Sequence, residues 1–547
     1  MRRAPGALAA LVLVSWAGVA SATNVLEFPD NGSEQMARGG AWLARASDPL
    51  AVFYNPAGLA GQHTRLSLQA NLVMAQTCFR RFKDPRDTTQ EPTSLIDAQG
   101  YFPAVCSDGA PQLPPNLQLA LNLRVTDRLG VGVAFLAPSG VAKAEWPDVV
   151  TDANGTKFPA PQRYLLIKGD ALLLTPTVGV GWEPIDGLRL GASFQWGIAT
   201  LKFTSAASAI NTDRAIPRDN DIKAELSAKD LAIPGGTFGA LWSASDWVDL
   251  AGWLKVSKPI EAKGDLTTRV NAFNTAVLAG TRDAITGTTA NPNCDTSIAT
   301  PQCVPDAVRV SVPIPMELKV GVRVHQPRER QLGTHVRDPM SQDKWDLEAN
   351  FTFAKNSDFQ ALQVRMPSAP GGEASYDGVL PVNGLPGNPL PSNADVPHRY
   401  KDVFGVRVGG DWNVIPDKLS LRAGGFVESR AQDPRYQNID FIGGARAGLS
   451  LGGTWRLKLS KNPRSTSALE LSLGLMHMFV FDQSYTGSSG GVRALEGTAC
   501  NPPGTPNPAS PSTCATGTER YRSNWAVNLG TIASQLTAIN VGASYRF

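Results

Sequence analysis

The sequence predicts an all-β fold: a 14-stranded antiparallel transmembrane β-barrel with an N-terminal plug of short helices. Three observations carry that expectation. Segment after segment alternates apolar and polar residues with period two, short turns and long loops alternate between those segments, and the chain ends on an alternating strand whose last residue is aromatic, Phe547.

The N-terminus is set aside first. Arg2 and Arg3 precede an apolar run from Leu8 to Val19, and Ala20, Ser21 and Ala22 supply a small-residue cleavage site, so residues 1–22 read as a signal peptide. A membrane-spanning helix needs about 20 apolar residues, more than this run holds. No later stretch is continuously apolar over such a span, which leaves a secreted soluble protein or a β-barrel. The net charge is +3 and the basic residues do not cluster, so no nucleic-acid partner is expected.

The alternation then runs along the chain. Leu117, Leu119, Leu121, Leu123 and Val125 face one way, with Gln118, Asn122 and Arg124 facing the other. Leu129, Val131, Val133 and Phe135 alternate with Gly130, Gly132 and Ala134, and Leu318, Val320, Val322 and Val324 with Lys319, Gly321 and Arg323. In all, fourteen strands are expected, near Leu66 to Met74, Asn116 to Val125, Leu129 to Ala137, Leu165 to Trp182, Leu188 to Phe203, Glu225 to Trp242, Val248 to Lys263, Val308 to Val324, Trp345 to Arg365, Lys401 to Val414, Leu419 to Arg430, Ile442 to Leu457, Leu469 to Phe481 and Asn524 to Phe547. An even count returns the chain to its starting side, as single-chain barrels require.

Alternation alone does not separate a soluble sandwich from a membrane barrel. The connections do. Short turns such as Val125 to Gly130, Trp182 to Leu188, Ser243 to Trp247 and Asn413 to Leu419 alternate with long loops such as Phe79 to Pro114 and Pro367 to His398, the rim asymmetry of outer-membrane barrels. Trp182, Trp242, Trp247, Trp345, Trp412 and Trp455 gather beside the short turns, where an indole suits a membrane interface.

The segment Gly32 to Gly61, "GSEQMARGGAWLARASDPLAVFYNPAGLAG", resembles the N-terminal plug of the long-chain fatty acid transporter family, which also contains the toluene and xylene uptake channels. Gly39, Gly40 and Ala41, then Asp48, then Asn55, Pro56 and Ala57 carry the likeness. It continues at "LAPSG" (Leu136 to Gly140), at "YKDVFGVRVGGDWNVIPDKLSLRAGGF" (Tyr400 to Phe426) and at the tail "GASYRF". The resemblance implies a signal peptide at 1–22, a plug at 23–64 and a barrel at 65–547 in the bacterial outer membrane. It also implies a hydrophobic small-molecule ligand that leaves sideways or past the plug, with outer-membrane lipids around a monomer. A receptor or structural barrel is the alternative function, and an outer-membrane lipase or protease a distant third. No paired-His motif occurs, and neither an enzyme activity nor a cofactor or metal is expected.

Candidate sites follow. Asn55-Pro56 forms a rigid corner of the plug, although the same dipeptide marks ordinary turns. Gly130, Gly132 and Pro138 weaken the third strand and mark a place for a lateral opening. The early residues Val25, Leu26 and Phe28, together with Met476 and Met478 on an inward face, are candidates to line a ligand path. Arg407 and Arg422, with Arg124, Arg189, Lys319 and Arg323, would bind a carboxylate or else pair with lumen acids such as Asp346, Glu348 and Asp411. The six cysteines are expected as three bridges within loops, Cys78 with Cys106, Cys294 with Cys303 and Cys500 with Cys514.

Overall fold

The structure, a computed structural model, describes residues 31–547 apart from 88, 90, 114, 138–142, 209–220, 270–271, 275–277, 279–293, 296–301, 304–307, 330–334, 366–378, 381–389, 392, 463–464, 495 and 501–517. Val25, Leu26, Phe28, the cleavage site, Pro138 and Cys514 therefore lie outside the described residues.

Fourteen antiparallel strands close into a barrel. They are β1 (Arg65–Arg81), β2 (Asn116–Arg124), β3 (Leu129–Phe135), β4 (Thr177–Ile185), β5 (Leu188–Ala207), β6 (Ile222–Ser245), β7 (Val248–Ser257), β8 (Glu317–Pro327), β9 (Asp343–Ala354), β10 (Val403–Ile415), β11 (Leu419–Glu428), β12 (Arg446–Lys458), β13 (Ala468–Tyr485) and β14 (Gly530–Arg546). Each strand pairs with its neighbours in chain order. Closure is made by β1 on β14, in register from Arg65 opposite Arg546 to Arg81 opposite Gly530.

The barrel is inside out relative to a soluble sandwich. Along β4, Val178, Val180 and Trp182 are exposed while Thr177 and Glu183 are buried. Around the wall the exposed large side chains are apolar, among them Leu68, Leu117, Phe194, Val320 and Leu449, and the six rim tryptophans all point outward. Buried positions hold Arg38, Glu348, Arg407, Asp411 and Asn540 instead. An apolar belt around a polar lumen is stable only where a lipid phase covers the outer face.

Four of the expected strands are each divided in two. Three divisions fall at Pro176, at Lys258-Pro259 and at Pro313 to Pro315, where proline removes a ladder donor, and the fourth at the 3-10 turn Asn356–Asp358. Above these breaks the outer halves form a separate wall on the extended ends of β5 and β6. Lys168–Leu174 pairs with β5, and Ile260–Arg269, Val308–Val312, Ala361–Arg365 and Asn393–Pro397 continue in sequence from β6. Its inner face is apolar, built by Leu226, Ile260, Leu266, Val310 and Leu362.

The strand β1 runs well past Met74, so Cys78 lies in a strand and not in the first long loop as the sequence reading had it. Cys78 is disulfide-bonded to Cys106, which pairs alongside it. Cys294 and Cys303 stand opposite one another in a two-stranded ladder.

An ionic knot holds the outer loops together. Arg163 bonds Glu91 at 2.6 Å and Asp221 at 2.8 Å, the Tyr164 hydroxyl donates to Asp221 at 2.7 Å, and Arg81 lies over the rings of Phe102, Tyr164 and Trp525. Burial pushes the Asp221 carboxyl from its ordinary 3.8 up to about 6, against the pull of Arg163 and the Tyr164 hydroxyl. Between those two values the folded knot holds a proton that the unfolded chain has lost. The contribution of this group is therefore fully present below the ordinary value and fades as pH rises through about 6. On acidification from about pH 7 to about pH 4 the knot should gain on the order of 2–3 kcal/mol. The unfolding midpoint of the cap, followed by the fluorescence of buried Trp146 and Trp525, should rise over that window, and a midpoint that falls would contradict the assignment.

Candidate functional site: the plugged lumen and its two cavities

The chain from residue 31 to 64 fills the lumen as short pieces: α1 (Ser33–Ala37), α2 (Ala51–Tyr54) and a 3-10 turn Pro56–Leu59. Gly39 and Gly40 follow α1 with φ of 63° and 77°, a left-handed conformation that glycine adopts without strain. Asp48 accepts from the Leu50 N–H at 2.7 Å and from the Gln35 amide at 3.5 Å. Asn55 caps the 3-10 turn by accepting from the Ala57 N–H at 3.3 Å while its Nδ2 donates to the Leu43 carbonyl at 2.8 Å. Pro56 at the first position of that turn supplies a pre-set φ. The motif residues thus build corners of the plug.

Two glycine-lined seats receive those corners. On β3 to β6, a Cβ at Gly130 would fall 2.1 Å from the Leu59 carbonyl oxygen, at Gly181 2.5 Å from the Pro56 oxygen, at Gly191 2.2 Å from the Ala57 nitrogen and at Gly239 2.0 Å from Asn55 Oδ1. Gly132 likewise leaves room for Leu59 and Val52. Directly across the barrel, Gly409, Gly424, Gly452 and Gly474 on β10 to β13 receive Ser33, Ala37 and Arg38 of α1 and its cap, and Gly39 lies against Gly425. The glycines of opposed strands are therefore where the plug backbone touches the wall.

Charge completes the second seat. Arg38, fully buried, reaches Asp346 at 2.7 Å, Asp411 at 2.5 Å and Glu348 at 3.4 Å. Arg45 bonds Asp411 at 3.0 Å and also pairs with Asp346. Glu348 accepts the backbone N–H groups of Ala44 and Arg45, and Arg422 links Asp411 at 3.1 Å to Glu34 of the plug at 3.3 Å. Arg407 holds Glu428 at 2.7 Å and the Gly39 carbonyl at 2.9 Å. Arg323 pairs with Asp249 and Asp343, Arg124 with Asp127, and Lys319 lies 3.6 Å from Glu317. Five of the six basic candidates thus already face a carboxylate of the chain. Arg189 is buried on β5. The plug residues Arg38, Arg45 and Glu34 were missed in the sequence, although two arginines seven apart within the plug motif, opposite three inward acids, were the available signal.

Beneath the plug, residues 335–342, which lead into β9, cross the short-turn mouth. The Arg337 N–H donates to the Gly61 carbonyl at 2.8 Å, and Arg337 Nη2 to Ser243 on β6. Asp338 pairs with Arg456 on β12 and Arg546 on β14 at 2.8 and 2.6 Å. This strap anchors to opposite walls, so the axial mouth is covered.

The described residues form several cavities above the plug, two of which have a mainly apolar lining. The outer, of about 170 Å³, is bounded by Tyr164, Leu166, Phe203, Leu226, Leu362 and Val396. The inner, of about 100 Å³, is bounded by Trp146, Met478, Val480 and Leu536 on one side and by the charged Lys143 and Arg446 as well. Asp440 lines both. Below the inner cavity, Met476 and Met478 pack with Phe426, Leu536 and Met36 of α1, so the apolar lining continues to the plug. Gly130 and Gly132 pair on both sides, β3 with β2 and β3 with β4, as far as Ala134. Beyond that point the outer continuation of β4, Lys168–Leu174, pairs with β5 instead.

A closed 14-stranded barrel stoppered by its own N-terminal segment is the class that the geometry defines. Solved structures of that fold are similar to it. A FadL homologue of Pseudomonas aeruginosa aligns with a TM-score of 0.61 at 16% identity over 95% of this chain and 99% of its own. The Ralstonia pickettii toluene transporter TbuX aligns at 0.52 and 14% identity over 94% and 98%. The CymD monoaromatic hydrocarbon channel aligns at 0.50 and 11% identity over 94% and 97%. Neither a protein-family model nor a curated protein sequence matches the chain.

Proposed function

We propose that this protein is an outer-membrane channel for the uptake of hydrophobic small molecules by passive diffusion. The observation that carries the reading is the apolar route from the outer cavity through the methionine cluster to a plug that seals the lumen. An open barrel of this width would hold water, in which an apolar solute gains nothing over crossing unaided. The fold shared with proteins described as a toluene transporter and a monoaromatic hydrocarbon channel supports the same class of solute.

Solute enters at the outer cavity, passes to the inner one, and leaves through the wall beside β3. Two features support the sideways exit: the strap that covers the axial mouth, and the end of the β3 to β4 ladder at Ala134, past which a single bond from the Thr175 N–H to the Leu136 carbonyl follows. The Asn55-Pro56-Ala57 corner controls passage, since it holds the plug against β4, β5 and β6. The test expresses wild type and Asn55→Ala at equal surface levels in a bacterial host without such channels, and follows entry of labelled ethylbenzene and of a hydrophilic dye. Wild type should admit ethylbenzene above the empty host while excluding the dye, and the variant should change ethylbenzene entry. No ethylbenzene entry above the empty host defeats the channel reading; an unchanged variant defeats plug control alone.

A further inference from the structure

Like charges meet on the outside of the wall that stands above the barrel. Lys229 on β6 lies directly opposite Lys263 of Ile260–Arg269, Lys263 opposite Arg309 of Val308–Val312, and Arg309 opposite Arg365 of Ala361–Arg365. Four cations thus share one register row across four neighbouring strands. Lys229, Lys263 and Arg309 are exposed, while their strand neighbours Ala228, Ala262 and Val310 are buried in the inner face of the same wall.

Such a row needs an explanation, because like charges directly opposite one another destabilise a sheet. Acids of the chain meet a part of it. Arg365 bonds Asp395 at 2.8 Å, and the exposed Glu261 and Asp265 flank Lys263 two residues away on its own strand. Asp230, next to Lys229, is engaged by the backbone, its two oxygens accepting the N–H groups of Ala232 at 3.0 Å and Glu261 at 2.8 Å. Lys229 and Lys263 make no ion pair among the described residues. Directly opposed residues have Cβ atoms roughly 5 Å apart, so the two ammonium groups can close on a single phosphate with charge-assisted bonds. Thr200 on β5, exposed and opposite Lys229, adds a hydroxyl donor on the same face.

The residues beside the pair favour a lipid over a free anion. Leu231, two residues from Lys229 along β6 toward the short turns, is exposed, as are Leu172, opposite Thr200, and Trp196. The Trp196 indole N–H donates to the Leu231 carbonyl at 2.8 Å. An apolar body with its N–H satisfied at the edge of the belt is the setting of an interfacial tryptophan. The lysine pair is therefore continuous with the lipid-facing surface and stands just beyond its rim.

We infer that Lys229, Lys263 and Thr200 form a docking site for the phosphorylated headgroup of an outer-leaflet lipid, whose acyl chains lie on Leu231, Leu172 and Trp196. The inference rests on the outer-membrane placement of the barrel and is independent of the solute that crosses it. Bound phosphate neutralises the opposed pair and ties the outer wall to the leaflet.

The test measures lipid binding to the purified full chain in a detergent with an uncharged headgroup, by native mass spectrometry, with heat-modifiable gel mobility as the check on folding. The probes are lipid A with its phosphates, lipid A stripped of them, and inorganic phosphate. Wild type should bind the phosphorylated lipid at least about tenfold more tightly than the stripped one, and millimolar inorganic phosphate, which lacks the acyl contacts, should leave it bound. Lys229→Gln combined with Lys263→Gln should bring the two lipids within about twofold of each other, while Lys461→Gln on the short-turn rim keeps the wild-type preference. Glu261→Gln removes the nearest acid and should tighten the phosphorylated lipid. Equal binding of the two lipids by wild type, binding of neither, or an unchanged preference in the folded double variant overturns the inference. Full displacement by inorganic phosphate overturns it in favour of a plain anion site, and weaker binding by Glu261→Gln overturns it in favour of a site that the acid helps to build. Lys263→Gln alone should lower the preference at least about threefold, which keeps the inference open to disproof if the double variant does not fold.

Discussion

Replacing Arg38 by Met should free the plug from a barrel that remains folded. The guanidinium sits among Asp346, Asp411 and Glu348, all with buried side chains, and it also donates to the Ala41 carbonyl at 2.8 Å within the plug. Removing one partner of a buried ionic group costs about 3–5 kcal/mol, because the carboxylates left behind keep their desolvation penalty without their counter-charge. Arg45 remains on Asp346 and Asp411 and offsets a part of it. The strands carry their own ladders, so the loss falls on the plug and not on closure. In planar bilayers wild type should show little ion conductance, whereas the Arg38→Met channel should open to water-filled steps and its N-terminal segment should become accessible to protease. Conductance and cleavage equal to wild type would mean that the ionic cluster does not hold the plug.

A second large effect is expected from Gly191→Val. A Cβ there would lie 2.2 Å from both the Ala57 nitrogen and the Pro56 carbonyl carbon. Those are backbone atoms of a capped turn that cannot step aside as a flexible side chain does. Overpacking of this kind costs about 1–3 kcal/mol when neighbours can adjust, and here relief requires the Pro56–Leu59 turn to leave its seat. Gly252→Ala is the control, since a Cβ at that position meets nothing within 4 Å. The expected result is a folded barrel with an unseated turn in Gly191→Val, read as dye entry and conductance, and wild-type behaviour in Gly252→Ala. A tight, dye-excluding Gly191→Val barrel would contradict the seat.

Much of the architecture is legible in the sequence because the causes are local. A strand between lipid and lumen must alternate at every second residue. The runs Leu117 to Val125, Leu318 to Val324 and Leu469 to Leu475 do so without help from distant residues, and β2, β8 and β13 lie there. The prolines that divide the long strands were equally visible, but their effect depended on a second wall that no single segment announces. The glycines of β3 were visible too. Their alternation suggested a weak strand, while in the fold Gly130 and Gly132 make room for Leu59 and Val52.

The sequence by itself determined the strand periodicity, the asymmetry of the two rims and the corners of the plug, since a repeat of two, a short turn and an Asn-Pro cap are each set within a few residues. Only the tertiary structure decided which charges meet. Arg38 finds Asp346 and Asp411 across 308 and 373 residues of chain, and Arg163 finds Asp221 across 58. The physical reason is closure: until β1 pairs with β14, the lumen that buries these charges and strengthens their pairing does not exist. The plug segment then completes the seats and cavities within that lumen.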